Sequence, residues 1–234
     1  MPWPEKPLNN PYHKLYQCQD DVLTFMNTMG SPFYLGGGTA LSRFFFNHRY
    51  SDDLDFFLLP DVDFVTCVHE LQGQLEDHGY HVSTFGFSPD FARFAITEPN
   101  RFPQMPLKLD FIRPRANAHV GDFIATPLFP RIDNPKNILA EKLVYIHKKF
   151  PKDMADIWVI CQNLAFDWED IITATARKAT TDPLFLAEIV AQFDAHELNT
   201  VLWIRPFHVA EFERDRQLII KNIITKESNQ LFSA

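Results

Sequence analysis

Residues 33–57 read FYLGGGTALSRFFFNHRYSDDLDFF, and the order of the parts in this stretch decides the fold. An apolar strand stub, Phe33-Tyr34-Leu35, runs into Gly36, Gly37 and Gly38. Thr39 then opens a helical run, Ala40 to Phe46, which Asn47 and His48 break. A second strand, Leu54 to Leu59, carries Asp53 and Asp55 at its start. Strand residues two apart share a face, so these carboxylates lie about 7 Å apart on one side. A glycine turn ahead of a helix suits phosphate, and paired carboxylates suit magnesium. Taken singly, each feature has a plainer reading: a solvated strand entrance, a turn needing positive φ, and a Thr39 that only caps its helix. In this order they point to a site for a metal-bound nucleoside triphosphate.

A third acid extends the set. In the strand candidate Leu107 to Ile112, Leu107, Leu109 and Phe111 alternate with Lys108, Asp110 and Ile112. A carboxylate in such a strand is costly unless it is paired, metal-bound or facing solvent, and an edge strand facing water would also accommodate it. If this strand lies beside the Asp53–Asp55 strand, three carboxylates converge. Two could then hold a pair of magnesium ions, and the third could take the proton of an attacking hydroxyl.

Beyond these motifs, helices are expected at Tyr12 to Met29, Asp63 to Asp77, Ile138 to Phe150, Lys152 to Phe166, Trp168 to Lys178, Pro183 to Phe193 and Pro206 to Ile224. Strands are expected at Tyr80 to Phe87 and Phe91 to Thr97, with a loop marked by Pro99, Pro103 and Pro106. The four prolines of residues 1–11 favour an extended start. The pattern predicts an α+β fold, with a mixed-sheet core at 12–132 and a helical region at 133–234.

The 234 residues suit one large domain or two modest ones, and the 23 phenylalanines suggest a core built on aromatic packing. Three separated cysteines with no CxxC support neither a disulfide framework nor a zinc knuckle. No apolar stretch is long enough to span a membrane, and the start lacks an export-type apolar core, so a cytoplasmic location is expected. A net charge of -8 argues against a general nucleic-acid coat protein, though not against an enzyme that touches nucleic acid locally. Lys136, Lys142, Lys148, Lys149 and Lys152 form the one dense basic group, either a solvated helix face or a local phosphate contact.

The run GGGTAL…HRYSDDLDFF resembles the signature of the AbiEii abortive-infection nucleotidyltransferase toxins, within the DNA polymerase β-like superfamily. The matching positions are Gly37, Gly38, Thr39, Ala40, Leu41, Arg49, Ser51, Asp53, Asp55 and Phe56. A later element also matches: Ala140, Lys142 and Leu143, then Lys152, Asp153, Asp156 and Ile157. The resemblance implies a polymerase β-like core followed by a helical C-terminal part, and magnesium-dependent transfer of a nucleotide from a nucleoside triphosphate. It makes Asp53 and Asp55 metal ligands, Asp110 the third carboxylate and Lys142 a triphosphate contact. It places Gly37, Gly38, Thr39, Arg49, Ser51, Asp153 and Asp156 in the nucleotide-binding motifs. Read from the residues alone, Lys142 could be a surface lysine, and Asp153 and Asp156 could be acids favouring a helix's first turn.

Three functions follow as alternatives: a nucleotidyltransferase toxin acting on RNA, with tRNA foremost and an antitoxin as partner; the same chemistry on a small molecule such as an antibiotic; or an idle nucleotide-binding module. The three aspartates disfavour the last, and the lysine group favours RNA. Residues beyond Asp167 carry no matching motif.

Overall fold

The structure, a computed structural model, describes residues 11–99, 106–114 and 118–232. Most of the extended start expected for residues 1–11, and most of the loop expected between Pro99 and Pro106, lie outside this set; Pro11 itself begins a helix. Two compact units emerge. One takes Met1–Gly36, Asp52–Pro114 and Ile124–Ile132; the other takes Gly37–Ser51, Arg115–Phe123 and Asp133–Ala234. Residues 37–51 and 115–123, which the expected 12–132 core includes, thus cluster with the helical unit. The opening stretch is shared: its first strand and aspartates belong to one unit, its glycine-initiated helix to the other.

The first unit is a five-stranded mixed sheet with two helices, α1 (Pro11–Thr28) and α3 (Phe64–Asp77). Its strands are β1 (Phe33–Gly36), β2 (Leu54–Leu58), β3 (His81–Ser88), β4 (Phe91–Thr97) and β5 (Leu107–Ile112), in the order β1-β2-β5-β4-β3. Only the β2–β5 pair is parallel. Period-two alternation sends Leu54, Phe56 and Leu58 of β2, Leu107, Leu109 and Phe111 of β5, and Ala92, Phe94 and Ile96 of β4 into the core. Phe111 centres it, with ring centroids 5.1 Å from Phe33, 5.5 Å from Phe56 and 5.3 Å from Phe94. Each such pair adds about 0.5–1.5 kcal/mol to simple burial, so aromatic packing holds this layer. Phe64, Val68, Leu71 and Leu75 form the buried face of α3, whose first turn is capped by the Asp63 side chain.

The second unit begins with α2 (Gly37–Leu41), which widens into a π-turn over Ser42–Phe46 and ends at Asn47 in the left-handed region. Its other helices are α4 (Pro135–Tyr145), α5 (Pro151–Asn163), α6 (Trp168–Lys178), α7 (Pro183–Gln192) and α8 (Val209–Thr225). Helix α5 is buried from Met154 through Cys161, so it is a central helix rather than one with a single apolar face. The expected helix Ile138 to Phe150 is corrected: α4 starts earlier, capped by Asn134 with Pro135 behind it, and stops at Tyr145. A short 3-10 turn, Ile146–Lys148, then leads to Lys149 at φ 52°. Pro151 keeps Phe150 out of the helix, because a residue before proline avoids the helical region, and Phe150 is extended at ψ 127°.

Candidate active site

In the sheet unit, register brings charged residues into one row. Asp55 of β2 pairs with Asp110 of β5, Asp110 pairs with Arg93 of β4, and Gly36 of β1 pairs with Asp55. Paired residues project from the same face, so Asp55, Asp110 and Arg93 lie together on the side opposite the phenylalanine core. Asp53 and Lys108, each two residues back, fall on that face one row away.

Charges alternate across this face. Arg93 donates twice to Asp110, at 2.7 Å to each carboxylate oxygen. The Lys108 ammonium pairs with Asp53 and stands 3.8 Å from Asp110, so one cation lies between two carboxylates. Burial pulls the Lys108 pKa down, but the hydrogen bond and charge of Asp53, then the charge of Asp110, outweigh it and leave it raised. Arg93 is raised as well, chiefly by its hydrogen bonds to Asp110.

Three carboxylates give an all-oxygen donor set of the hard kind that magnesium prefers, and a cation already stands among them, so the residues fit a divalent cation in kind. Their present arrangement differs from the expected convergence. Among the described residues, no three acidic, histidine or cysteine side chains are grouped to hold a metal ion. Lys108 and Arg93 are interleaved instead.

In the helical unit the polar centre is Asp156, fully buried on α5. Arg49 forks onto it, Nε 2.7 Å from Oδ1 and Nη2 2.8 Å from Oδ2. Lys142 Nζ lies 2.6 Å from Oδ2 and also donates to Asp153 Oδ1 at 2.7 Å. His48 Nε2 is 2.8 Å from Oδ1, and since a carboxylate only accepts, His48 donates from Nε2. Two cations face two carboxylates, so the buried cluster is neutral. Burial pushes the Asp156 pKa up, yet the charges of Arg49 and then Lys142, with hydrogen bonds from Arg49 and His48, hold it well below its ordinary value. Burial holds the His48 pKa low despite its bond to Asp156. Lys142 is held up against burial by the charges of Asp156 and Asp153.

The loop that carries Arg49 is stitched to α2. Thr39 Oγ1 donates to Ser51 Oγ at 2.8 Å, and the Ser42 hydroxyl donates to the Arg49 carbonyl. Gly37 sits at φ 65°, where a side chain is strained. A Cβ on Gly38 would come 2.0 Å from Arg49 Nη2, and Arg49 is locked by its fork. Gly38→Ala is therefore expected to cost about 1–3 kcal/mol by overpacking, read by urea unfolding. A cost near zero would mean that Arg49 moves freely.

Known proteins supply a second line of observation. The family model described as nucleotidyl transferase AbiEii toxin, type IV toxin–antitoxin system, matches residues 26–230. The chain belongs to the AbiEii nucleotidyltransferase toxin family. It is 28% identical over 172 residues to an uncharacterised protein of Aquifex aeolicus (strain VF5), spanning 70% of this chain and 76% of the relative. Its fold is similar to MenT4, a nucleotidyltransferase toxin from Mycobacterium tuberculosis H37Rv (TM-score 0.63, 18% identity, 90% of this chain and 82% of that one). It is similar also to JHP933 from Helicobacter pylori (TM-score 0.58, 17% identity, 92% and 93% covered). The protein is thus a nucleotidyltransferase of a toxin family, with a nucleoside triphosphate as donor substrate and an antitoxin implied by its class.

Within this AbiEii chain the expected residues divide into two groups. Asp53, Asp55 and Asp110 share the sheet's charged face. Arg49, Lys142, Asp153 and Asp156 form the buried cluster, with Gly38 against it and Thr39 bonded to Ser51. Thr39 is not a helix cap: α2 begins at Gly37, and the Thr39 hydroxyl is buried. Asp156 is not in a first turn either, lying five residues beyond Pro151 at the centre of α5, whereas Asp153 is. Lys142 is buried, not a surface lysine. Sequence reasoning passed over His48, read only as a helix breaker, along with Lys108 and Arg93 as partners of the acids. Lys108 was signalled by its two-residue spacing from Asp110; Arg93 needed the register.

Proposed function

We propose that this AbiEii-family enzyme transfers a nucleoside monophosphate from a nucleoside triphosphate to a hydroxyl of RNA, with tRNA as the foremost acceptor, in the cytoplasm and under the restraint of a partner antitoxin. The observation that carries the reading is the in-register pairing of Asp55 with Asp110 on a charged sheet face. Asp53, Asp55 and Asp110 would hold divalent cations, magnesium in this reading. The metal would neutralise the triphosphate and help activate the attacking oxygen. Arg93 fixes the Asp110 carboxylate through its two hydrogen bonds. In the helical unit, Gly37, Gly38, Thr39 and Lys142 are the residues that the family motif assigns to nucleotide binding, with Lys142 buried and held by Asp153 and Asp156. Arg49, Ser51, Asp153 and Asp156 support that motif from behind.

The RNA acceptor rests on one feature of the helical unit. Lys136, Lys148, Lys149 and Lys152 are exposed, and the exposed rings of Tyr145 and Phe150 flank Lys148, with its ammonium 4.7 Å and 6.0 Å from the two centroids. Cations beside exposed aromatic rings suit a single-stranded backbone with unstacked bases. Incubating the protein with each α-labelled triphosphate, magnesium and total RNA should label RNA with one or a few of the four. Label appearing only on small molecules would overturn the RNA assignment. The double substitution Lys148→Ala and Lys149→Ala should weaken RNA binding and shrink the logarithmic salt slope by up to about one for each phosphate no longer neutralised. An unchanged slope would make these lysines a solvated surface.

A further inference from the structure

The Lys108 ammonium stands where a metal would be wanted, paired with Asp53 and 3.8 Å from Asp110. We propose that Lys108 is an internal placeholder for the divalent cation, and that metal entry displaces it from Asp53. The inference rests on the reading of Asp53, Asp55 and Asp110 as metal ligands and deepens it.

Charge and geometry both single out this lysine. Of the five charged residues named on this face, three carboxylates, Asp53, Asp55 and Asp110, stand against two cations, Arg93 and Lys108, a sum of one negative charge. Arg93 is committed to Asp110 by two bonds of 2.7 Å from a planar fork. Lys108 is bound differently: a single point charge on a flexible stem, its side chain 38% exposed, within reach of two carboxylates. It is the cation that can leave. Exchanging it for a divalent ion takes the set from one net negative charge to none, and the long stem lets the ammonium reach solvent without moving the strand. Without the lysine, Asp53 and Asp110 would face each other in the metal-free protein with less compensation. Lys108 thus stabilises the metal-free state and weakens metal affinity by competing for the same oxygens.

The test measures manganese binding, through the loss of the free-ion EPR signal, on wild type, Lys108→Met and Asp55→Asn. Lys108→Met keeps the stem and removes the charge. It should bind manganese at least about tenfold more tightly, the change expected if the binding-competent arrangement is populated a tenth of the time or less in wild type. It should also melt lower without metal and gain a larger metal-induced rise in Tm. In wild type, acylation footprinting should show faster modification of Lys108 when manganese is added, a readout independent of whether the variant folds well. Equal or weaker manganese binding by Lys108→Met, or unchanged Lys108 labelling, overturns the placeholder while leaving the metal site standing, provided that Asp55→Asn loses manganese. If wild type and Lys108→Met both fail to bind manganese, the metal reading itself falls and the placeholder with it.

Discussion

Asp156→Ala is expected to be the most destabilising single substitution among the described polar residues. Removing this carboxylate strips the forked partner from Arg49 and one of two partners from Lys142, both of them buried. A buried charge left without its partner costs about 3–5 kcal/mol, a large part of the roughly 5–15 kcal/mol that hold a domain folded. Urea unfolding should show a much lower midpoint, and a cost below about 1 kcal/mol would mean the cluster relaxes into water. The pH dependence has a definite sign. The folded-state pKa of Asp156 is depressed, so its contribution is present above the ordinary carboxylate range and is lost as pH falls through the folded value. His48 acts at higher pH: its folded pKa is lowered, so the unfolded chain takes up that proton first, and stability declines as pH drops below about 6.5. Acid should therefore weaken the protein in two stages. The histidine stage should persist in Asp156→Ala, and the carboxylate stage should be missing.

How much of this was legible beforehand follows from which interactions are local. Strands β4 and β5 are readable to the residue because alternation of apolar and polar side chains is a property of neighbours in sequence. Helix α6 is readable for the same reason, with Trp168, Ile171, Ile172 and Thr175 on its buried side. The end of α4 was overrun because the chain leaves the helix through a 3-10 turn and a left-handed Lys149 before the extended Phe150, backbone changes that apolar periodicity does not carry. Pairing was the larger gap. Asp110 could be flagged as a charge in an apolar strand, but its in-register neighbours Asp55 and Arg93 come from strands 55 and 17 residues away in sequence. Asp156 illustrates the same limit. Its motif position hinted at nucleotide binding, whereas its burial beneath Arg49, Lys142 and His48 depends on partners some hundred residues away along the chain for two of the three. The family resemblance singles out both groups of residues; only the structure separates those on a charged, partly open face from those locked inside.

That separation yields the sharpest contrast between two chemically identical changes. Asp55→Ala should abolish nucleotide transfer, a loss of at least about a hundred- to thousandfold, while leaving the melting temperature nearly unchanged. Asp55 is half-buried on the charged sheet face, and its backbone pairing with Gly36 and Asp110 does not depend on its side chain. Asp53, Asp55 and Asp110 share that face with Arg93 and Lys108, so without Asp55 two carboxylates remain for those two cations. A stability change within about 1 kcal/mol follows, of either sign. Asp156 has the reverse arithmetic, since its cluster is neutral with the carboxylate and positive without it. Transfer assays and thermal melts run side by side on the two variants should therefore give opposite profiles: Asp55→Ala folded and inactive, Asp156→Ala unstable first and inactive as a consequence. Wild-type transfer by Asp55→Ala would remove the paired aspartates from the chemistry. A large fall in its melting temperature would show that Asp55 belongs to the framework of the sheet instead of its working face.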